Sequence, residues 1–282
     1  MLNLIRMDVA RMRRMKSLFW VPFLLCAILF LEVFSTKQLY ERMNDLSEVA
    51  SSMDIELNDA TEQELKTMND KLDLKIDVLD SFGELLPSNV FALYLAIFTV
   101  LYSCADFTTG FIKTIGGQVK RRSQLVASKL AGLFVFEVFL FAVAFAVYTL
   151  LSIFFFKGVT FNDPSHFLGY FGIQLILHFC LMCFCAMVCI VARNGLVGMV
   201  ISLITVLGFF TLLSMLINKL ISSLMDKVVH VEEYLIMENI TRFDYNSTGD
   251  SVTALTALTI CGITAAISII LSCLSMEKRD VI

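Results

Sequence analysis

The densest charge chemistry in this chain begins at Asp106-Phe-Thr-Thr-Gly110-Phe-Ile-Lys113 and continues through Lys120-Arg121-Arg122 to Lys129. Five bases and one acid stand between two long apolar runs, so the cations can meet an acidic protein surface or lipid phosphate. A second cluster, His178, Cys180, Cys183, Cys185 and Cys189, has the residue types of a soft-metal or redox site. Its spacings of three and four bring only some members onto one helical face. Free cysteine is also a small apolar residue used in buried helices, and packing is the reading adopted, with no metal ligand assigned.

Enzymatic chemistry finds little support. Glu232-Glu233 could serve as the paired carboxylates of an intramembrane protease, but no arginine follows four residues after Glu233 and the three histidines are scattered. The chain lacks a G-x-x-x-x-G-K-[ST] phosphate loop, a His-Glu-x-x-His zinc helix and a G-x-S-x-G elbow. No catalytic or cofactor-binding residue is assigned, and ATP hydrolysis by this polypeptide is not expected.

Hydrophobic residues make up 57% of the sequence and charged residues 17%, with a mean hydropathy of +0.78. A soluble domain is nearer 45–50% apolar and about 25% charged. The charges gather in blocks, and the runs between them approach the ~20 residues that cross ~30 Å of hydrocarbon. These runs lack the period-two alternation of barrel strands, so helices must satisfy the backbone in lipid. The expected fold is therefore all-α: a polytopic membrane protein with six transmembrane helices, an amphipathic N-terminal helix and an extracytoplasmic helical hairpin.

The expected segments are 1–16 (amphipathic helix), 17–34 (first span), 35–87 (hairpin), 88–111 (second span), 112–124 (loop), 125–156 (third span), 166–192 (fourth), 195–217 (fifth), 218–251 (interfacial helices), 252–275 (sixth) and 276–282 (tail). In the first of these, Leu2, Ile5, Val9 and Met12 form an apolar stripe opposite Arg6, Arg13 and Arg14, a pattern suited to the headgroup layer. Trp20 and Pro22 follow at the start of the first span, as interfacial anchor and first-turn proline. Val33-x-Ser35 is similar to a cleavage site, but Glu32 spoils it and a retained signal-anchor is expected. In the hairpin, Leu39, Met43, Leu46, Ala50 and Met53 share one helical face, and Leu65, Met68, Leu72, Ile76 and Leu79 another. Gly195 and Gly198 are the positions at which the fifth span would soften.

The face that receives 1–16, the segment 106–129, Arg193 and the tail carries 13 lysines and arginines and the other face 9, which makes up the total of 22. The short loops thus place both termini in the cytoplasm of a cell membrane, of bacterial type. All eight cysteines fall within spans, so no extracytoplasmic disulfide is expected. Asn239-Ile-Thr and Asn246-Ser-Thr match a glycosylation pattern that recurs by chance. Glu32, Asp106 and Glu137 are the acids at or within spans. Glu137 is the deepest and the candidate to face a cavity or a neighbouring helix.

Asp106-Phe107-x-x-Gly110, then Lys113, Arg121-Arg122 and a Lys129 that begins the next span, resemble the ABC-2 type permease family, including exporters and immunity proteins for antimicrobial or amphipathic peptides. The amphipathic N-terminal helix, six spans and interfacial helices agree with it over nearly the whole chain. The 36–86 insert is larger than in many members, and no ATPase is fused. The resemblance implies a transmembrane subunit of an ABC exporter whose separate ABC ATP-binding subunit carries ATP-Mg. Lys113, Lys120, Arg121 and Arg122, with Arg6, Arg13 and Arg14, would then dock on that subunit, while Asp106, Gly110 and Lys129 are the family-motif positions. A second permease, identical or related, would complete the route. Spans rich in Phe, Leu and Met suit an amphipathic peptide or lipid-like substrate, and no nucleic acid is expected. The alternatives are lipid or drug export by the same mechanism, or a non-ABC ion-coupled carrier or membrane sensor.

Overall fold

The computed structural model describes residues 2–52, 75–108, 122–156, 158–225, 231–245 and 251–278. Helix α1 (Leu2–Met12) is followed, after a tight turn over 13–16, by α2 (Ser17–Ser52). Strand β1 (Lys75–Asp77) leads into the short α3 (Val78–Leu85), then α4 (Asn89–Thr108) and α5 (Ser123–Phe155). Strand β2 (Gly158–Thr160) precedes α6 (Pro164–Ala192), α7 (Gly195–Val206) and α8 (Phe209–Met225). A 3-10 turn (Val231–Tyr234), α9 (Ile236–Arg242) and α10 (Ser251–Lys278) complete the described chain.

Among the described residues, five helices are long and apolar enough to cross a membrane: α2 over Ser17–Arg42, α4, α5, α6 and α10. The chain is therefore a multi-pass, membrane-embedded helical protein. α6 forms its centre, packed against α10, α4, α7 and α9, while α5 holds α2 and α1 on the other side. Phe19, Phe23, Leu31, Phe154, Leu255, Ile263 and Ile267 project outward, the pattern expected where hydrocarbon is the solvent. Because lipid tails are as apolar as leucine, interior packing is what associates the helices.

The expected fifth span, 195–217, is broken. α7 and α8 meet at a 64° bend, and the hinge is Gly208, whose φ of +75° is open to glycine and strained for any other L-residue. The softening glycines expected at 195 and 198 serve packing instead. A Cβ at Gly198 would lie 2.6 Å from Cys189 Sγ, and one at Gly195 3.5 Å from Cys104 Cβ. Periodicity could not reveal the bend because apolar residues continue without interruption across it.

The insert between the first two spans also departs from a simple helical hairpin. Its first arm is helical as far as Ser52, continuous with the span below it; the expected second arm falls largely outside the described residues. Ile76, read as helical, lies in β1, which pairs in parallel with β2 through Ile76 and Val159. Asp77 then caps α3, accepting hydrogen bonds from the backbone N–H groups of Leu79 and Asp80. Its other carboxylate oxygen accepts from the Asn162 N–H at 2.9 Å. α3 is a plug: Phe82, fully buried, lies 5.3–6.3 Å by ring centroid from Phe145, Tyr148, Phe91 and Phe167. Pro22 sits one turn deeper in α2 than the first-turn position expected for it.

Beside Phe82, Gly83 admits the Tyr245 ring. A Cβ there would approach Tyr245 Cδ2 to 2.5 Å, and Tyr245 is hemmed in by His166 and Tyr170. Gly83→Ala should destabilise the protein by about 1–3 kcal/mol through overpacking. Thermal unfolding in detergent micelles checks this, with Gly169→Ala, where no atom lies within 4 Å, as the neutral comparison.

Candidate functional site

The chain's most concentrated buried polar chemistry lies where α4 ends, α5 begins and α1 docks. Asp106, on the last turn of α4, is 6% exposed. It forms ion pairs with Arg11 of α1 and Lys129 of α5. The Lys129 ammonium also donates to the Ser103 carbonyl at 3.1 Å. One residue before Lys129, Ser128 Oγ donates to Asp8 Oδ2 at 2.5 Å. Two acids and two bases thus bind three helices together with balanced charge.

Tyr102 lies beneath this group. The Arg11 guanidinium and the Lys129 ammonium stand 5.7 and 5.3 Å from its ring centroid, within range of the ring's negative face. Phe98 stacks parallel to Tyr102 and Phe136 stacks on Phe98. Gly132 makes room for the tyrosine hydroxyl, since a Cβ there would stand 2.9 Å from it. The cavity beside Asp8, Asp106 and Lys129 measures about 10 Å³, no more than one water could occupy. The cluster is packed shut.

The sequence-predicted residues divide clearly. Asp106 and Lys129 meet directly. Arg6, Arg13 and Arg14 are exposed, on α1 and the turn after it, and Arg122 stands at the start of α5. Gly110, Lys113, Lys120 and Arg121 lie outside the described residues. Asp8, Arg11, Ser128 and Tyr102 were missed. One signal could have found Asp8: it is the only acid among residues 1–16, one turn before the buried Met12 and three residues before Arg11. The true inner edge of α1 runs through Leu4, Asp8 and Met12, rotated from the stripe that seemed apolar.

Glu137 lies fully buried in α5, near enough to Cys180 and Cys183 of α6 to act on both electrostatically. Neither carboxylate oxygen has a hydrogen-bond partner among the described residues. Cys180, Cys183, Cys185 and Cys189 are buried with free thiols. His178 Nδ1 stands 2.9 Å from its own helix's Gln174 carbonyl. Among the described residues no three His, Cys, Asp or Glu side chains converge as metal ligands. The two outer glutamates serve different partners, Glu232 the Asn218 amide and Glu233 the Arg242 guanidinium. Asn239 is buried, its amide donating to the Glu233 and Leu235 carbonyls at 2.6 and 2.8 Å, an arrangement unsuited to carrying a glycan. No protein-family model and no curated protein matches the chain.

Removing the shared acid should be the most damaging change in the cluster, because it leaves Arg11 and Lys129 buried together. Asp106→Ala is expected to cost about 3–5 kcal/mol. The Asp106→Ala/Lys129→Met pair should cost less than the two single changes added, a coupling that thermal unfolding of all four proteins would measure. Asp8 adds a pH dependence. Burial, opposed by the Ser128 hydrogen bond, raises its carboxyl above the usual aspartate value. The folded protein therefore holds this proton more tightly than the unfolded chain. The contribution is full below the ordinary value near ~3.9 and is lost as pH rises through the folded value. Asp8→Asn should remove that component from the stability-versus-pH curve while keeping α1 docked.

Proposed function

We propose that the chain is the membrane-spanning permease subunit of an ABC-2 type exporter, powered by ATP hydrolysed on a separate nucleotide-binding subunit. The observation that carries this reading is the buried ion cluster, which joins α1 rigidly to the α4–α5 junction. Arg6, Arg13, Arg14 and Arg122 are left at the margin of the same joint. A stiff, basic end of this kind can receive a rigid-body displacement from a partner and pass it to two spans at once. Lys113, Lys120 and Arg121 add three bases to the sequence between α4 and α5.

In this reading both termini are cytoplasmic in a bacterial membrane, as the lysine and arginine bias directs. Two permeases, identical or related, enclose the route between them. The substrate is amphipathic, a peptide or toxin by preference, because the outward walls are Phe-, Leu- and Met-rich and carry few charges. The basic surface makes charge-assisted contacts to acidic groups of the ATPase.

Copurification tests the reading. The tagged permease should bring down an ATP-binding protein from its own cell. Arg121→Glu with Arg122→Glu should reduce that recovery at least tenfold while leaving membrane insertion intact. Recovery unchanged by the double reversal, and by reversal of Arg13 and Arg14 as well, would remove the docking assignment.

A further inference from the structure

Two adjoining clefts lie at the end of the bundle remote from the ion cluster, between α10, the 3-10 turn with α9, and α8. Ile260 of α10 lines the first, whereas Met276, sixteen residues on, borders the cavity by Asp8. At 1.5 Å per residue the two sites are about 24 Å apart. The larger cleft has a volume of about 350 Å³ and is lined by Glu233, Asn239, Arg242, Thr256 and Thr259 among others. The smaller, about 170 Å³, is walled by Phe184, Phe210, Ile236 and Met237, with Thr205 and Thr264. Tyr234 lines both; it is 67% exposed and forms the ridge between them.

Charge separates the two chemically: no residue lining the smaller cleft is charged, whereas Glu233 and Arg242 line the larger. In the smaller cleft Thr205 and Thr264 donate their hydroxyl hydrogens to their own helices, at 2.8 Å to Ile201 and at 2.8 and 3.1 Å to Cys261 and Ile260. That wall therefore suits hydrocarbon. In the larger cleft Thr256 and Thr259 likewise donate to carbonyls of α10, each at 2.9 Å. Glu233 adds a negative charge, and Arg242, 3.3 Å away, a positive one. Both are about half exposed, so each can turn to a ligand at little cost.

The walls are also fixed beforehand. Asn218 of α8 bonds Glu232 and accepts from the Val231 N–H at 3.1 Å, which ties the bent helix to the 3-10 turn. Gln174 of α6 donates to the Phe243 and Ile240 carbonyls at 2.7 and 3.3 Å, which holds the far end of α9. Together the volumes fall within the ~300–1,000 Å³ of small-molecule sites.

We infer that these clefts form one binding site for a single-chain zwitterionic amphiphile, its headgroup between Glu233 and Arg242 and its chain beneath Tyr234 against Phe210 and Met237. An acid and a base side by side match a headgroup carrying both signs and leave a singly charged one with a like-charge neighbour. The site does not depend on whether an ATPase docks at the opposite end.

The test uses the full-length chain in nanodiscs and a lysophosphatidylcholine bearing a photoreactive group on its chain. Saturable labelling should concentrate on α8, α9 and the first half of α10. Lysophosphatidylglycerol of the same chain length should compete at least tenfold less well than lysophosphatidylcholine. Met237→Trp, which fills the smaller cleft, should abolish the labelling, and the surface change Glu233→Gln, which removes the like-charge neighbour of an anionic headgroup, should erase the preference between the two competitors. Labelling spread evenly over the lipid-facing sides of α2 and α10, or equal competition by the two lipids, would overturn the assignment. So would labelling unaffected by both variants.

Discussion

One buried carboxylate, Asp106, holds the architecture of the basic end in place. It is enclosed with two cations of its own chain, and the cost of removing three charges from water is recovered only if all of them stay together. That requirement fixes more than a pair of side chains. Arg11 can reach Asp106 only if α1 lies against α5, and Lys129 only if the first turns of α5 run beside the last turn of α4. Tyr102 then offers a ring face to both cations, and Gly132 must remain without a side chain to admit the phenol. Ser128 secures α1 a second time through Asp8. A short helix that would otherwise lie loosely in the headgroup layer becomes part of the bundle.

The other end is built from different materials. There the packing is aromatic, centred on Phe82, and the polar contacts are amide-to-carbonyl bonds from Gln174, Asn218 and Asn239 rather than ion pairs. The Gly208 hinge bends α8 by 64° from α7, and the Asn218 contacts tie it to the 3-10 turn. One end is thus clamped by charge and the other shaped by a bent helix and two clefts.

Much of this was legible in the sequence. The five apolar spans follow from hydropathy alone, because lipid enforces long apolar helices, although the first helix runs on to Ser52, well past the expected end of its span at Phe34. Asp106 and Lys129 stood out as charges at span ends. Arg11 and Asp8 did not, because an amphipathic stripe is read from apolar residues and a charge within it seems to belong to solvent. The break at Gly208 was hidden by uninterrupted hydrophobicity, since composition reports partition into lipid and not direction. The strand at Lys75–Asp77 was obscured because its partner, Gly158–Thr160, is distant in sequence and three residues carry no periodicity. The rings around Phe82 come from three other helices, a convergence no local pattern encodes.

Spin labels at Arg6 and Arg122, with the distance between them measured in nanodiscs for the native chain and for Asp106→Ala, test most directly whether the buried carboxylate is what holds α1 in place. A single narrow distance distribution in the native protein that broadens severalfold in the variant is the predicted result. The same narrow distribution in both would show that α1 is held without the ion cluster, and would contradict the central claim.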